Sequence, residues 1–497
     1  MEKKQLIKTF LEKDILCTEQ SLNLLPENAN FNDFLLYIEE KNIEEDIIFI
    51  NDDLIHSFLK SNIIPNIPNN VGSSTVGNYL EKVKLISKSE EPTDKKSIKD
   101  FITYYNLRYS TIKSYLMGRQ DLEGLVSINR IKTKREKEKI SVIGMVKEKT
   151  TTKNNSVILT LEDPTGEVSV IITENNPEVN RAAKVVIEDE VIGVVGISGN
   201  NAIFANKIIV PDVPLIKELK KSPDEEYAVF ISDIHVGSKY FLKDNFLKFI
   251  KWLNGEVGND AQKEMVKKVK YIFAIGDLVD GVGIYPGQEK ELELLDVKDQ
   301  YTELTKYFAM IPKDKSIIIC PGNHDATRLE EPQPPISREY APGLHDLPNC
   351  LMVANPSIIN VGARDTFEGI DVMMYHGFSF DYFISNIDEI RNNGGYDRGD
   401  LVMKFLLQRR HLCPTQGSTV YIPNNKEDPM IIKKIPDLLC TGHIHKCAVS
   451  NYRNVTLISS SCWQDTTPFQ KKLGHNPEPC RVPMINLKTR EPKIMRF

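Results

Sequence analysis

The chain has 497 residues, too many for one ordinary domain, and its 41% apolar and 27% charged content is that of a soluble globular protein. No apolar run reaches the roughly 20 residues a membrane helix needs, and the opening MEKKQLIKTFLEKD breaks its apolar residues with charge, as an amphipathic helix does and a signal peptide does not. The eight cysteines are scattered without a CxxC pair, which argues against a zinc ribbon or a disulfide framework and fits a reducing, cytoplasmic setting.

The net charge of −6 is uneven: residues 1–64 hold 6 Lys+Arg against 13 Asp+Glu, so that segment carries −7 and the remainder +1. An acidic head does not suit a phosphate backbone; a partner-binding surface and a plain solvated face both fit it. Leu6, Ile7, Phe10 and Leu11, and again Phe34, Leu35, Ile38 and Ile43, fall at helical spacing and predict a helical module over residues 1–64. Residues 65–96, with their Pro, Gly, Asn, Ser and mixed charge, read as a flexible linker. Residues 97–125, around Phe101, Tyr104, Tyr105 and Leu107, read as helix.

From Ile140 the period becomes that of strands. ISVIGMV, SVILTLED, EVSVIIT, EVIGVVGIS and AIFANKIIV are separated by turn signals such as Asp163-Pro164-Thr165-Gly166, with a helix-compatible NNPEVNRAAKVV between the third and fourth. Five such strands suit an OB-type barrel, so residues 97–214 are expected to form a helix plus barrel; another small β-sandwich is the alternative. Phe204 is the only clear strand aromatic, which gives little support for direct DNA binding by the barrel. Residues 215–497 then alternate apolar strands (YAVFIS, YIFAIG, SIIIC, DVMMYH, DLLCTG, VTLISS) with longer segments. That pattern predicts an α/β domain with a buried central sheet.

The first five of these strands end in metal-type ligands: Asp233-Ile234-His235, Gly276-Asp277-Leu278-Val279-Asp280, Gly322-Asn323-His324-Asp325, His376-Gly377 and Gly442-His443-Ile444-His445. Ligands in open α/β sheets gather at the carboxyl ends of strands, so these residues are expected to converge. Imidazole, carboxylate and one amide oxygen, without thiolate, suit Mn, Fe or Zn. Two ions roughly 3.5–4 Å apart need a shared anionic ligand, and Asp277 is the natural bridge. The expected spheres are Asp233, His235, Asp277 and His445 for one ion, and Asp277, Asn323, His376 and His443 for the other. A lone D-x-H or H-x-H is more often structural; the ordered joint set carries the reading.

The set resembles the calcineurin-like metallophosphoesterase family, and the resemblance implies a metal-bridging hydroxide attacking phosphorus in line. His324 has no metal in that pattern. It is expected to protonate or stabilise the leaving oxygen, with Asp325 orienting its ring; a role in shaping the pocket is the alternative. From about residue 97 onward, and most specifically through GDLVDGVGIYPGQEKELELLDVKDQY, PGNHDATRLEEPQPPISREY and SSSCWQDTTPFQKKLGHNPEPCRVP, the chain also resembles the small subunits of archaeal family-D DNA polymerases. That resemblance implies a 3′–5′ exonuclease proofreading primer 3′ ends, single-stranded or mismatched. It also implies two divalent ions, Mn before Fe, Zn or Mg, and a heterodimer with a large catalytic polymerase subunit. The related eukaryotic B-subunits share the layout but have lost ligands, which this chain keeps. A non-catalytic scaffold and a stand-alone phosphodiesterase are the competing readings.

Overall fold

A computed structural model of the chain describes residues 15–17, 48–50, 80, 82–86, 95–131 and 137–497. The chain divides into two units, residues 1–76 and 77–497. In the first unit two short strands, β1 (Ile15–Cys17) and β2 (Ile48–Ile50), pair in parallel, an element that the helical periodicity of this segment did not signal. The two helical stretches expected around them lie outside the described residues.

In the second unit, β3 (Val83–Leu85) falls inside the stretch expected to be linker. Main-chain pairing explains it: β3 adds antiparallel to a strand of the last domain, and the amide of Ile86 donates to the carbonyl of Ile358 at 2.9 Å. Three residues of alternating Val-Lys-Leu are too few to stand out against the polar composition around them.

Helix α1 (Ile98–Met117) follows. Tyr104, Arg108, Tyr109, Ile112 and Leu116 form its buried stripe, at the spacing of one helical face. A barrel of β4 (Lys139–Thr151), β5 (Val157–Asp163), β6 (Gly166–Ile172), β7 (Val191–Gly199) and β8 (Ala202–Ile209) closes in the order β4-β5-β6-β8-β7. Helix α2 (Pro177–Lys184) lies between the third and fourth strands, as the sequence predicted. Val142, Val157, Leu159, Leu161, Val170 and Val194 fill the interior. The barrel is tied to the last domain through Glu190, whose buried carboxylate accepts from Nε of Arg409 at 2.9 Å.

All six strands foreseen for the last domain are present, but they are divided between two six-stranded sheets and do not form one central sheet. β9 (Tyr227–Ile231), β10 (Val269–Ile275), β11 (Ser316–Cys320) and β12 (Cys350–Met352) run parallel. Two later strands, named below, close that sheet on the β9 side. The second sheet contains β13 (Ser357–Val361), β14 (Ile370–Met374), β15 (Leu438–Thr441), β16 (Ala448–Tyr452) and β17 (Val455–Ser459), in the order β16-β17-β15-β14-β13-β3. The first sheet ends with β18 (Arg481–Asn486), antiparallel to β9, and β19 (Pro492–Arg496).

Phe230, Phe273, Ile318, Cys320, Val372, Met374, Leu438 and Ile458 meet between the two sheets in one core. The outer face of the first sheet packs against α3 (Lys243–Leu253) and α4 (Val297–Ala309). The outer face of the second packs against α5 (Phe380–Asn386) and α6 (Gly399–Arg409). Strands covered on both faces read as unbroken apolar runs whichever sheet they join, so the sequence foretold the strands but not their division. Among the described residues no helix is long and apolar enough to cross a membrane.

Candidate metal centre

The loops after β9, β10 and β11 come from one sheet and those after β14 and β15 from the other, and all five meet at the seam. Asp233, His235 and His445 form one cluster, and Asp277, His376 and His443 a second, with ligand-type atoms in each within 4.8 Å of one another. In the first, Nε2 of His235 lies 3.2 Å from Nε2 of His445, which lies 3.3 Å from Oδ1 of Asp233. In the second, Oδ1 of Asn323 lies 3.1 Å from Nε2 of His376 and 3.0 Å from Nδ1 of His443. Nε2 of His376 is also 3.2 Å from Oδ2 of Asp277. All seven expected ligands are therefore brought together.

Local backbone makes this convergence possible. Asp233, His235, Asp277, His443 and His445 all have φ between 50° and 70°, a left-handed region that costs a non-glycine residue of order 1–3 kcal/mol. Turning the chain this way aims side chains back over the strand ends. Gly322 has a packing reason: a Cβ there would press on Oδ1 of Asp277 and on the ring of His376.

Electrostatics mark the site as one that attracts positive charge. Burial opposes a charge on His376, yet the Asp277 and Asp233 carboxylates raise its pKa to about 10. Burial likewise opposes ionisation of Asp277, but His376, His324 and His235 hold its carboxyl well below the usual range. A donor set of imidazole nitrogens, carboxylates and an amide oxygen at these short distances fits divalent cations.

A surrounding layer fixes the rings. Asp280 faces Nδ1 of His235 at 3.1 Å, and its carboxylate accepts from Nε2 of Gln288 at 3.0 Å and of Gln464 at 2.9 Å. Burial raises the Asp280 carboxyl, but the His235 hydrogen bond and charge bring it below its ordinary value. Asp381 takes Nε2 of His443 at 3.0 Å and the hydroxyl of Tyr396 at 2.9 Å. Gln470 reaches Nδ1 of His445 at 3.1 Å. Sequence reasoning missed Asp381, Gln464 and Gln470 as site residues; no spacing rule marks them, although Asp381 lies in the first turn of the helix just after the His376 loop. Asp280 stood inside a quoted motif without a role.

His324 lies beside the clusters, its Nε2 4.0 Å from Oδ2 of Asp277. Its Nδ1 donates to the main-chain carbonyl of Asp280 at 2.7 Å, so Asp280 and not Asp325 orients the ring. Asp325 turns the other way: it accepts from the Tyr301 hydroxyl at 2.8 Å and from the amides of Gly322 at 2.9 Å and Leu278 at 3.3 Å. It braces the Gly322–Asn323 turn from behind. Burial lifts its carboxyl to about 6, with Asp277 adding to the effect. The whole centre opens into a cleft of about 240 Å³, lined also by Ile284, Tyr285, Phe378, Phe469 and Leu473.

Two packed sheets with ligand-type residues at their strand ends define a calcineurin-like phosphoesterase fold, and residues 228–447 match the Calcineurin-like phosphoesterase family. The chain is 40% identical to the DNA polymerase II small subunit of Methanothermobacter thermautotrophicus, over 78% of each chain. It is 38% identical to that of Methanocaldococcus jannaschii, covering 79% of this chain and 64% of the relative. With that of Thermoplasma acidophilum it shares 33% identity over 89% of this chain and 87% of the relative. The chain belongs to the DNA polymerase II small-subunit family.

Proposed function

We propose that this chain is the proofreading subunit of a DNA polymerase, a two-metal 3′–5′ exonuclease that hydrolyses the terminal phosphodiester of single-stranded or mismatched 3′ ends. The observation that carries the reading is the meeting of seven ligand-type side chains from five strand ends in two adjoining groups. Asp233, His235 and His445 would hold one ion, and Asn323, His376 and His443 the other. Asp277 would be shared between them. This mixture of donors suits Mn, Fe or Zn; the family resemblance favours Mn, with Mg as a further occupant. Bound ions supply an activated water and neutralise charge on the phosphoryl oxygens.

The remaining work falls to the chain itself. The Asp280 carbonyl holds one proton of His324 on Nδ1, and burial favours the neutral ring, so Nε2 faces the cleft as a base that takes up a proton from water and then passes it to the departing 3′ oxygen. Asp280 and Asp381 keep His235 and His443 turned toward the centre, and Asp325 holds the turn that carries Asn323. The names of its relatives support a large polymerase subunit as partner. A scaffold role would leave so complete a ligand set without purpose.

The test is a 5′-labelled primer with a mismatched 3′ terminus, incubated with the full chain and Mn2+. Wild type should shorten it from the 3′ end. Asp277→Ala should abolish shortening, and His324→Ala should lower the rate by about 10²–10⁴-fold. Absence of shortening by wild type, or variants that match it, would overturn the reading. Co-expression with the large subunit should yield a stable complex.

A further inference from the structure

The cleft is lined by ligand-type residues and also by apolar side chains, Tyr285, Phe378, Phe469 and Leu473 among them, and the hydrolytic chemistry does not account for these. We infer that Tyr285 and Phe469 form the seat on which the unpaired terminal base of the substrate strand stacks, a proposal that rests on the nuclease reading above.

The two rings come from segments far apart in the chain. Tyr285 lies in the loop between β10 and α4, and Phe469 on a short helix, α7 (Pro468–Leu473), which follows β17. They stack at the cleft with centroids 4.6 Å apart and planes at 14°. Tyr285 is held in plane by its hydroxyl, which donates to Glu291 at 2.9 Å. Burial and the nearby Asp280 and Glu291 carboxylates keep the phenol neutral by raising its pKa.

Core packing does not explain the pair. Helix α7 has no buried residue, and Phe469 remains 38% and Leu473 54% exposed. The helix is set instead by local devices. Thr467 and Gln470 cap its start reciprocally, and Gly474 ends it with φ 77°. Gln470 places it against the ligand His445 at 3.1 Å. An apolar, wetted aromatic face fixed beside a hydrolytic centre is costly unless something covers it.

The reach is right for a nucleotide. The Tyr285 ring centroid lies 6.5 Å from that of His324, so a base on the aromatic pair belongs to the residue whose phosphodiester lies at the centre. Every base offers a π-face, which makes such a seat tolerant of sequence. A base still in the duplex has that face covered by its neighbours, whereas a frayed or mismatched base is free to stack. The pair therefore selects for the unpaired end directly, without reading the mismatch itself.

The experiment compares two otherwise identical 5′-labelled single strands, one ending in a normal 3′ nucleotide and one in an abasic 3′ residue, with the full chain and Mn2+. Wild type should favour the base-bearing end in kcat/KM by about 5- to 150-fold, the range that one base–aromatic stack supplies. Phe469→Ala should bring that ratio toward unity while its Mn2+ isotherm stays as in wild type. Tyr285→Phe, which keeps the ring, should retain the preference. The seat is refuted if wild type cleaves both ends equally, or if Phe469→Ala and Tyr285→Ala keep the wild-type ratio. A wild type that cleaves neither strand refutes the nuclease reading instead.

Discussion

Replacing Asp280 by asparagine tests whether the layer behind the ligands sets metal affinity. The Asp280 carboxylate accepts from Gln288 at 3.0 Å and Gln464 at 2.9 Å and lies 3.1 Å from Nδ1 of His235. An amide of the same shape has one accepting oxygen and a donating nitrogen, so at least one donor would face another donor. It would also lose the negative charge that raises the basicity of the His235 ring. Loss of such outer partners costs about 10–100-fold in metal affinity, or about 1.4–2.7 kcal/mol. The effect should fall on the ion of the Asp233–His235–His445 group and spare the other, which His443 and its own partner Asp381 support. Mn2+ titration by calorimetry should therefore show one of two binding steps weakened in Asp280→Asn. Two unchanged steps, or equal weakening of both, would refute the reasoning.

Gly322→Ala should disturb the Asp277 carboxylate, because a Cβ at that position has no room beside its Oδ1; if Asp277 bridges two ions as proposed, both Mn2+ steps should weaken, and an unchanged isotherm would speak against that role. Asp428→Ala should cost about 3–5 kcal/mol in urea unfolding, since it strands Arg108, whose Nε donates to that carboxylate at 2.8 Å with both side chains buried. A loss under about 1 kcal/mol would show that the α1 anchor had been misread. Glu331 is buried beside Tyr375 and Asn355, and burial lifts its carboxyl to about 7. The folded chain then holds a proton that the unfolded chain, titrating near about 4.3, releases. Its contribution is full below that lower value and is lost as the pH rises toward 7. Metal-free Glu331→Gln should flatten this slope and gain at most about 4 kcal/mol on wild type at about pH 8; parallel stability profiles for the two would contradict it.

The convergence of the candidate ligands was legible because each stands where an apolar strand stops, and a strand end is the one place where distant residues meet by topology alone. The OB-type barrel was legible for a related reason, since five short runs with turn chemistry between them leave few other closures. What the sequence hid was direction. Asp325 follows His324, but adjacent residues in a turn point apart, and its carboxylate goes to Tyr301 and two amides. The ring of His324 is held instead by a main-chain oxygen, which has no sequence signature. Likewise β3 exists through ladder bonds to β13 and not through its own composition. Phe469 and Gln470 belong to a segment whose role depends on what lies across the cleft.

The division of the strands between two sheets bears on more than architecture. Each ligand cluster draws on both: Asp233 and His235 follow β9 in one sheet while His445 follows β15 in the other, and Asp277 follows β10 while His376 and His443 follow β14 and β15. Divalent ions held there would act as rivets across the seam. A chelator should then do more than silence a reaction: it should let the two halves of the sandwich breathe apart, and amide exchange should quicken at the strand ends of both sheets together. The centre would thus report on its own assembly, since it exists only when both sheets have formed and met.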